Sequence, residues 1–398
     1  MIIRPKIRGF ICVTSHPAGC AANVHRQIEH AKANPILDGP KSVLVLGSSA
    51  SYGLGSRIAL AFGSQAATMG VFFDKAPTER RPGTAGWYNT AAFEAAADAE
   101  GLLSASLNGD AFSHETKAKV IEVLKDRFPP IDCVVNSLAS PRRIHPDTGV
   151  AHSSVLKPLG EPYRSQSVNT DTGEVNQVEL EPAAGDDVAN TVAVMGGEDW
   201  QMWMDALQEG GVLAPGCRTF AYSYIGPEMT WPIYKDGTIG QAKADLHQTA
   251  TRLNDQLGEQ GGAAHIAVMK AVVTQSSAAI PVVPLYISIL LKIMKEAGDH
   301  EGPMEQASRL YATKSFGPEG TITDDQGFIR LDDLEMKTET QAAVHDIWER
   351  IDTGNLEALS DFAGYKHEFL RLFGFEVPGV DYDAEVDPLV PIPNLVES

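Results

Sequence analysis

KSVLVLGSSASYGLGSR, residues 41–57, decides how the rest of the chain is read. Val43–Leu46 is a short apolar run bounded by charge and glycine, the pattern of a buried strand. Gly47, Gly53 and Gly55 follow, and SRIALAFGSQAA (56–67) continues as a helix. The first glycine permits a tight turn. The later two let a phosphate approach the backbone at a helix N-terminus, where free N–H groups and the helix dipole favour an anion. The spacing is G-x5-G-x-G, and no Gly-Lys-Ser/Thr follows, so this is not the nucleoside-triphosphate loop. An ordinary glycine-rich strand–helix turn remains the plainer alternative for this stretch alone.

Working outward, MGVFFDK (69–75) reads as the second strand, with Asp74 at its end, 21 positions after Gly53. A carboxylate there suits the ribose hydroxyls of an adenosine and repels a 2′-phosphate, which favours NADH over NADPH. Lys75, Arg80 and Arg81 stand close enough to soften that preference. SASLNG leads to Asp110 and Ala111 near a third strand end. DAFSHETKAKVIEVLKDRF is an amphipathic helix with Ser113 as its cap. IDCVVNSLA brings Leu138 and Ala139 to the end of a fourth strand. Ligands of such sheets lie at the carboxyl ends of the strands. The alternation of strand and helix predicts an α/β fold: a Rossmann-like, doubly wound parallel sheet with helices on both faces.

Beyond residue 146 the pattern changes. SQSVNTDTGEVNQVELEP predicts a β-hairpin turning at Thr170–Gly173. DVANTVAVMGGEDWQMWMDALQEG predicts one long helix, with Met195, Trp200, Met202 and Trp203 as core. RTFAYSYIG and AAHIAVMKAVVT predict two further strands, the second being the last buried one. The C-terminal hundred residues read as mainly helical. No Gly/Ser-rich linker appears. The expected organisation is one enlarged domain over 1–398: a dinucleotide-binding half at 41–145, a hairpin insertion with catalytic and substrate-binding regions at 146–300, and a helical extension at 301–398.

Composition narrows the function classes. The 398 residues carry a formal charge of −20, which opposes nucleic-acid binding. An acidic or phosphorylated partner would need a local basic patch; Arg4, Lys6 and Arg8 are one candidate, Arg142 and Arg143 another. No apolar run is long enough to span a bilayer. The N-terminus carries early charges without an apolar signal region, so a cytoplasmic protein is expected. Cys12, Cys20, Cys133 and Cys217 lack metal-binding spacing, so neither a disulfide framework nor a metal site is expected.

WPIYKDGTIGQAK (231–243) carries a tyrosine and a lysine with eight residues between them. On one continuous helix they would point to opposite faces. Asp236–Gly237 is a turn signal, however, and Thr238 is a plausible helix N-cap. Tyr234 then sits on a loop that doubles back towards Lys243. Such a pair suits reduction of an enoyl thioester: a phenol meets the oxygen on which negative charge collects, and an ammonium lowers the phenol pKa from about 10 and holds a ribose. By spacing alone, a packed tyrosine and a surface lysine are the simpler reading of the stretch.

MIIRPKIRGFICVTSHPAGC, GSSASYGLG, YKDGTIGQAK and VVTQSSAAIPVVPLYISILLKIMKE together resemble the FabV class of trans-2-enoyl reductases, and the resemblance runs along essentially the whole chain. That class is an enlarged relative of the short-chain dehydrogenase/reductases. The resemblance implies NADH-dependent reduction of trans-2-enoyl thioesters of acyl carrier protein or coenzyme A, the last step of type II fatty acid elongation. It implies Tyr234 as proton donor, Lys243 as ribose anchor and Tyr224 at the substrate carbonyl. For the cofactor it implies Gly47, Ser48, Ser49, Ala50, Ser51 and Tyr52 around the pyrophosphate. Phe73, Asp74, Asp110 and Ala111 would lie at the adenosine, Leu138 and Ala139 along the ribose path, and Val272, Val273 and Thr274 at the nicotinamide. Asp74 stands where glutamate is common in the class, which keeps the charge on a shorter arm. SSAAIPVVPLYISILLKIM would wall the acyl pocket as well as form core. A monomer is the expectation, because the insertions cover faces through which smaller relatives associate. Two other functions fit the same scaffold: a ketoacyl or alcohol dehydrogenase, and a non-catalytic NAD-binding regulator.

Overall fold

The computed structural model describes residues 1–9 and 11–397. Along the chain, β1 (Ile7–Arg8) and β2 (Ile11–Cys12) precede α1 (Pro17–Ala33). The first sheet strands and helices follow: β3 (Ser42–Leu46), α2 (Ser51–Ile58), β4 (Ala67–Phe72), α3 (Ala85–Ala99), β5 (Ser104–Asn108), α4 (His114–Arg127) and β6 (Ile131–Asn136). Two antiparallel pairs come next, β7 (Arg142–Ile144) with β8 (Ala151–Ser153), then β9 (Tyr163–Val168) with β10 (Val175–Leu180). The chain continues through α5 (Asp187–Met195), α6 (Glu198–Glu209), β11 (Leu213–Ser223), α7 (Thr238–Gly258) and β12 (Ala263–Val268). It ends with α8 (Gln275–Ala278), α9 (Val283–Ala297), α10 (Pro303–Arg309), β13 (Phe328–Arg330), α11 (Thr338–Arg350), α12 (Leu356–Leu359), α13 (Phe362–Arg371) and β14 (Leu395–Val396).

Eight strands form one parallel sheet in the order β13-β12-β11-β6-β3-β4-β5-β14. The order reverses between β3 and β6, so the loops leaving these two strands part and open a crevice at their carboxyl ends. Strand alternation assigns the two faces. Val43 and Val45 pack with α1, α2, α3 and α10 through Val24, Leu54, Phe93 and Met304. Leu44 and Leu46 pack with α4, α6 and α7 through Val120, Trp203 and Leu246. Covering both faces explains why β3 reads as an unbroken apolar run. Beneath the glycine loop, Arg57 of α2 is buried against Glu94 at 2.7 Å and bonds Ser106, tying α2 and α3 to β5.

Several local expectations are corrected. The helix after β3 starts at Ser51, so Gly53 and Gly55 lie inside α2. A Cβ on Gly53 would meet the Gly47 carbonyl at 1.9 Å, and one on Gly55 the Pro303 carbonyl at 3.0 Å. These glycines serve close packing of the turn and of α10. Residues 187–209 are two helices, broken where Gly196–Gly197 press on Asp245 and Thr249 of α7. The sheet also gains two edge strands that the sequence did not suggest, β13 beyond β12 and β14 at the opposite edge. The hairpin β9–β10 and the Ser113 cap of α4 form as expected. Trp200 and Trp203 are fully buried, as expected of core.

Candidate active site

The glycine loop closes the end of β3. Gly47 holds φ +80, and a Cβ there would lie 2.4 Å from the Ser137 carbonyl of the loop after β6. Left-handed backbone under such a contact admits only glycine without strain. Gly47 and Ser48 N–H groups both donate to the Val71 carbonyl. Ala50 is the N-cap of α2, and Ser51 adopts φ +48, an unfavourable angle for a residue with a side chain. The Ser51 hydroxyl is buried with no protein partner, as is the Asn136 side-chain oxygen at the end of β6. A buried hydroxyl on a strained loop at a helix N-terminus fits a dinucleotide pyrophosphate. The Tyr52 side chain turns elsewhere, its hydroxyl donating to the Lys270 carbonyl at 2.8 Å.

Asp74 follows β4. Its carboxylate accepts from the Ser49 hydroxyl at 2.7 Å and the Thr84 hydroxyl at 2.6 Å. Its backbone is clamped by Asn108 of β5. Phe73 is 79% exposed, a free aromatic face at the carboxyl end of β4. Asp110 accepts from the Phe112 N–H at 3.0 Å, and the Ala111 carbonyl accepts from Trp203 and Lys117. Leu138 is half-buried and Ala139 exposed.

A cleft of about 1180 Å³ is lined by Ala50, Ser51, Asp74, Val273 and Thr274. Lys6, Arg8, Arg26, Lys75, Arg80 and Arg81 line it too, with no carboxylate within ion-pair distance among the described residues. Asp110, Ala111, Leu138, Ala139, Tyr224, Tyr234 and Lys243 do not line this cleft. Arg143 is no surface patch. It is buried, its guanidinium held by Glu198 at 2.6 Å and by the Ala193 carbonyl. Arg4 is paired with Asp383.

The tyrosine–lysine stretch folds as a series of turns leading into α7. The N-cap is Gly237, not Thr238. The Thr238 hydroxyl donates instead to the Val155 carbonyl at 2.5 Å, and the Thr238 N–H donates to the Lys157 carbonyl. Gly240, in the first turn of α7, decides the spacing. A Cβ there would lie 1.8 Å from the Lys235 carbonyl and 2.7 Å from that of Tyr234. The tyrosine-bearing loop therefore lies directly on the first turn of the lysine-bearing helix, which is how eight intervening residues are accommodated.

Lys243 donates to the Tyr222 carbonyl at 3.0 Å. It has no carboxylate partner among the described residues, and burial lowers its pKa to about 8. The Tyr234 and Tyr224 rings meet edge to face at 5.1 Å. Both phenols are pushed upward by burial and by the charge of Glu335, so the lowering of the Tyr234 pKa expected from Lys243 is not found. The hydroxyls differ. That of Tyr224 donates to Glu335 at 3.0 Å, whereas that of Tyr234 has no protein partner among the described residues. Both rings pack against α9, whose residues from Leu285 to Leu291 are buried.

Sequence reasoning missed Glu335, Tyr286 and Lys270. Glu335 is fully buried and also accepts from the Tyr286 hydroxyl at 2.6 Å and the Ala271 N–H at 2.7 Å. Lys270 ends the approach to Val272 and Val273, its ammonium on the Ala271 carbonyl at 2.8 Å. No spacing signals these partners. Val282, before α9, holds φ +77 while fully buried, a strained angle for a β-branched residue.

Three family models match the chain. They are described as the NAD(P)H binding domain of trans-2-enoyl-CoA reductase (residues 2–79), the trans-2-enoyl-CoA reductase catalytic region (81–316) and an enoyl reductase FAD binding domain (323–386). An enoyl-[acyl-carrier-protein] reductase [NADH] of Opitutus terrae is 55% identical over 98% of this chain and 100% of its own. One of Burkholderia thailandensis is 54% identical over the full length of both. The crystal structure of Treponema denticola trans-2-enoyl-CoA reductase in complex with NAD superposes with a TM-score of 0.94 at 49% identity. That match covers 97% of this chain and 98% of the other. The third match implies a flavin, which its residues do not suit. The turn from β13 to α11, LDDLEMK, has no glycine and carries three carboxylates, which repel a pyrophosphate.

Proposed function

The chain belongs to the trans-2-enoyl-CoA reductase family, and on that premise we infer that it reduces the carbon–carbon double bond of trans-2-enoyl thioesters with NADH, giving saturated acyl thioesters. This is the closing reduction of a fatty acid elongation cycle. The observation that carries the residue assignment is the contrast between two adjacent phenols: Tyr224 is bound to Glu335, and Tyr234 is left free to meet a substrate.

When bound, NADH supplies the hydride that adds to the β-carbon. Negative charge then collects on the thioester oxygen as an enolate. Tyr234 hydrogen-bonds that oxygen and gives up its proton; its raised pKa keeps it protonated until a base of enolate strength is present. Lys243 holds the nicotinamide ribose and sets its positive charge beside the site. Tyr224 borders the thioester carbonyl. Gly47–Ser51 hold the pyrophosphate, Tyr52 contributing its backbone only, and Asp74 the adenosine ribose. Phe73, Asp110 and Ala111 flank the adenosine, Leu138 and Ala139 the ribose path, and Val272, Val273 and Thr274 the nicotinamide. The buried face of α9 behind both tyrosines walls the acyl chain. The cationic cleft supplies the positive surface that a phosphorylated carrier, either coenzyme A or acyl carrier protein, requires of a protein with net charge −20. The protein acts as a single-domain monomer in the cytoplasm; among its described residues no helix is long and apolar enough to cross a membrane.

Mixing the protein with NADH and crotonyl-CoA, then a longer trans-2-enoyl-CoA, and following NADH absorbance tests the reading. Oxidation by the wild type that collapses in Tyr234→Phe supports it. Oxidation with acetoacetyl thioesters alone would make the chain a ketoacyl reductase. Tight NADH binding without turnover on any thioester, carrier-bound ones included, would make it a regulator.

A further inference from the structure

Among the described residues, Glu335 is the one carboxylate hydrogen-bonded to Tyr224, and it comes from far away in sequence. It lies 111 residues from Tyr224 and 49 from Tyr286, in the turn after edge strand β13. It is fully buried, a placement that needs compensation. Three donors supply it: the Tyr224 and Tyr286 hydroxyls on Oε1 and the Ala271 N–H on Oε2. Gln341 of α11 locks the arrangement, donating to the Tyr286 hydroxyl at 3.2 Å and to the Glu335 carbonyl at 2.7 Å. The charged group facing it is Lys270.

We propose that Glu335 is a positioning residue for the reduction: it accepts the hydrogen bond of the Tyr224 hydroxyl and so fixes the ring against which Tyr234 packs. The inference rests on the reductase reading above. A carboxylate with three donors on its two oxygens only accepts. Tyr224 therefore points its proton at Glu335 and has only lone pairs left for any other partner. Tyr234, edge-on to it, is left as the phenol with a proton to give. The division of labour between two neighbouring tyrosines thus originates in the C-terminal region, and the 323–386 segment enters the active site through this side chain. The same carboxylate binds the Ala271 N–H, so the segment that carries Val272 and Val273 is held to the same point.

The test is a double-mutant cycle in kcat between Glu335→Gln and Tyr224→Phe, with KM and Kd for NADH and the melting temperature measured alongside. Glutamine keeps the shape but sets an amide N–H₂ against the Ala271 N–H or the tyrosines. Glu335→Gln is expected to lower kcat by roughly 10- to 100-fold, with Kd for NADH changing less than about twofold. In the Tyr224→Phe background the same substitution should cost less than about twofold more, because Tyr224 is the group through which it acts. Multiplicative effects, or a lowered melting temperature with wild-type kcat, would overturn the assignment. Should Glu335→Gln fail to fold, Tyr286→Phe enters the same cycle: coupling to Tyr224 supports the proposal, and equal effects in both backgrounds overturn it. The wild-type rate in the same assay tests the reductase reading by itself, so the two are judged separately.

Discussion

The proposed phosphate end and the proposed catalytic end of the site are built in different ways. At the phosphate end, Gly47, Ser49, Ser51 and Asp74 come from one strand–helix–strand run, and the Ser49 hydroxyl bonds the Asp74 carboxylate directly. At the catalytic end, Tyr224, Tyr234, Lys243, Lys270 and Glu335 come from β11, a turn series, α7, the end of β12 and the turn after β13. The first is local geometry. The second is assembled by the core, and its precision depends on packing between elements distant in sequence. Binding and turnover should therefore respond separately to substitution.

The strongest way to break that separation is at Tyr234. Tyr234→Phe is expected to lower kcat by roughly 10²- to 10⁴-fold, the range for loss of a positioned proton donor. NADH affinity by fluorescence titration should stay within about twofold. A large loss of NADH affinity would show that the two ends are one cooperative unit.

A glycine swap sharpens the comparison. Gly240→Ala forces a Cβ into the Lys235 carbonyl and shifts the tyrosine loop off α7. A displacement of about 1 Å costs on the order of 100-fold in rate, so kcat should fall with little change in KM for NADH. Gly47→Ala strains the backbone at φ +80 and crowds the Ser137 carbonyl. It should raise KM for NADH, with kcat at saturation largely kept. Identical kinetic signatures for the two variants would contradict the division.

Lys243 offers a pH test. Burial lowers its pKa from 10.5 to about 8. The free enzyme therefore loses the ammonium as pH rises through 8, and kcat/KM should fall about tenfold per pH unit above that point. Lys243→Met should be slow and lack this limb. For stability the sign is opposite. The unfolded chain keeps its lysine protonated up to about 10.4. Between pH 8 and 10.5 it binds more protons than the folded chain, so this group makes the protein more stable as pH rises there. The gain is at most on the order of 3 kcal/mol, less what solvent access screens. Thermal melts of wild type and Lys243→Met from pH 7 to 10 should converge.

Legibility in the sequence follows the same division. The parallel sheet and the glycine loop were readable, because short apolar runs and strand-end polar residues are local patterns; the reversal between β3 and β6 shows only in the strand order. The turn between Tyr234 and Lys243 was readable, whereas the second glycine of GTIGQAK, which lets that turn lie on the helix, was a signal left unread. The acidity of Tyr234 was not, because it depends on burial and on Glu335. Glu335 itself sits in LDDLEMK, a string of charges that reads as a solvated turn. Nothing local marks the carboxylates of this turn that the core swallows, Asp332 as well as Glu335. Arg143 misled for the same reason: adjacent to exposed Arg142, it alternates inward on β7.

The smallest expected effect concerns the cationic cleft. Lys75, Arg80 and Arg81 are exposed, so each acts through a screened field, not through a built contact. Arg80→Ala combined with Arg81→Ala should raise KM two- to five-fold at low salt for whichever ligand carries phosphate into this cleft. The difference should fade by about 0.5 M salt, where the Debye length is only a few ångströms. Measuring KM for NADH, crotonyl-CoA and a crotonyl carrier protein in parallel separates the sources. A rise for NADH alone would assign the patch to the adenosine end beside Asp74. A rise for one thioester alone would show which carrier the cleft receives. A change that persists in high salt would mean that these arginines make specific contacts, and that the phosphate end, like the catalytic end, depends on residues beyond the strand–helix–strand run.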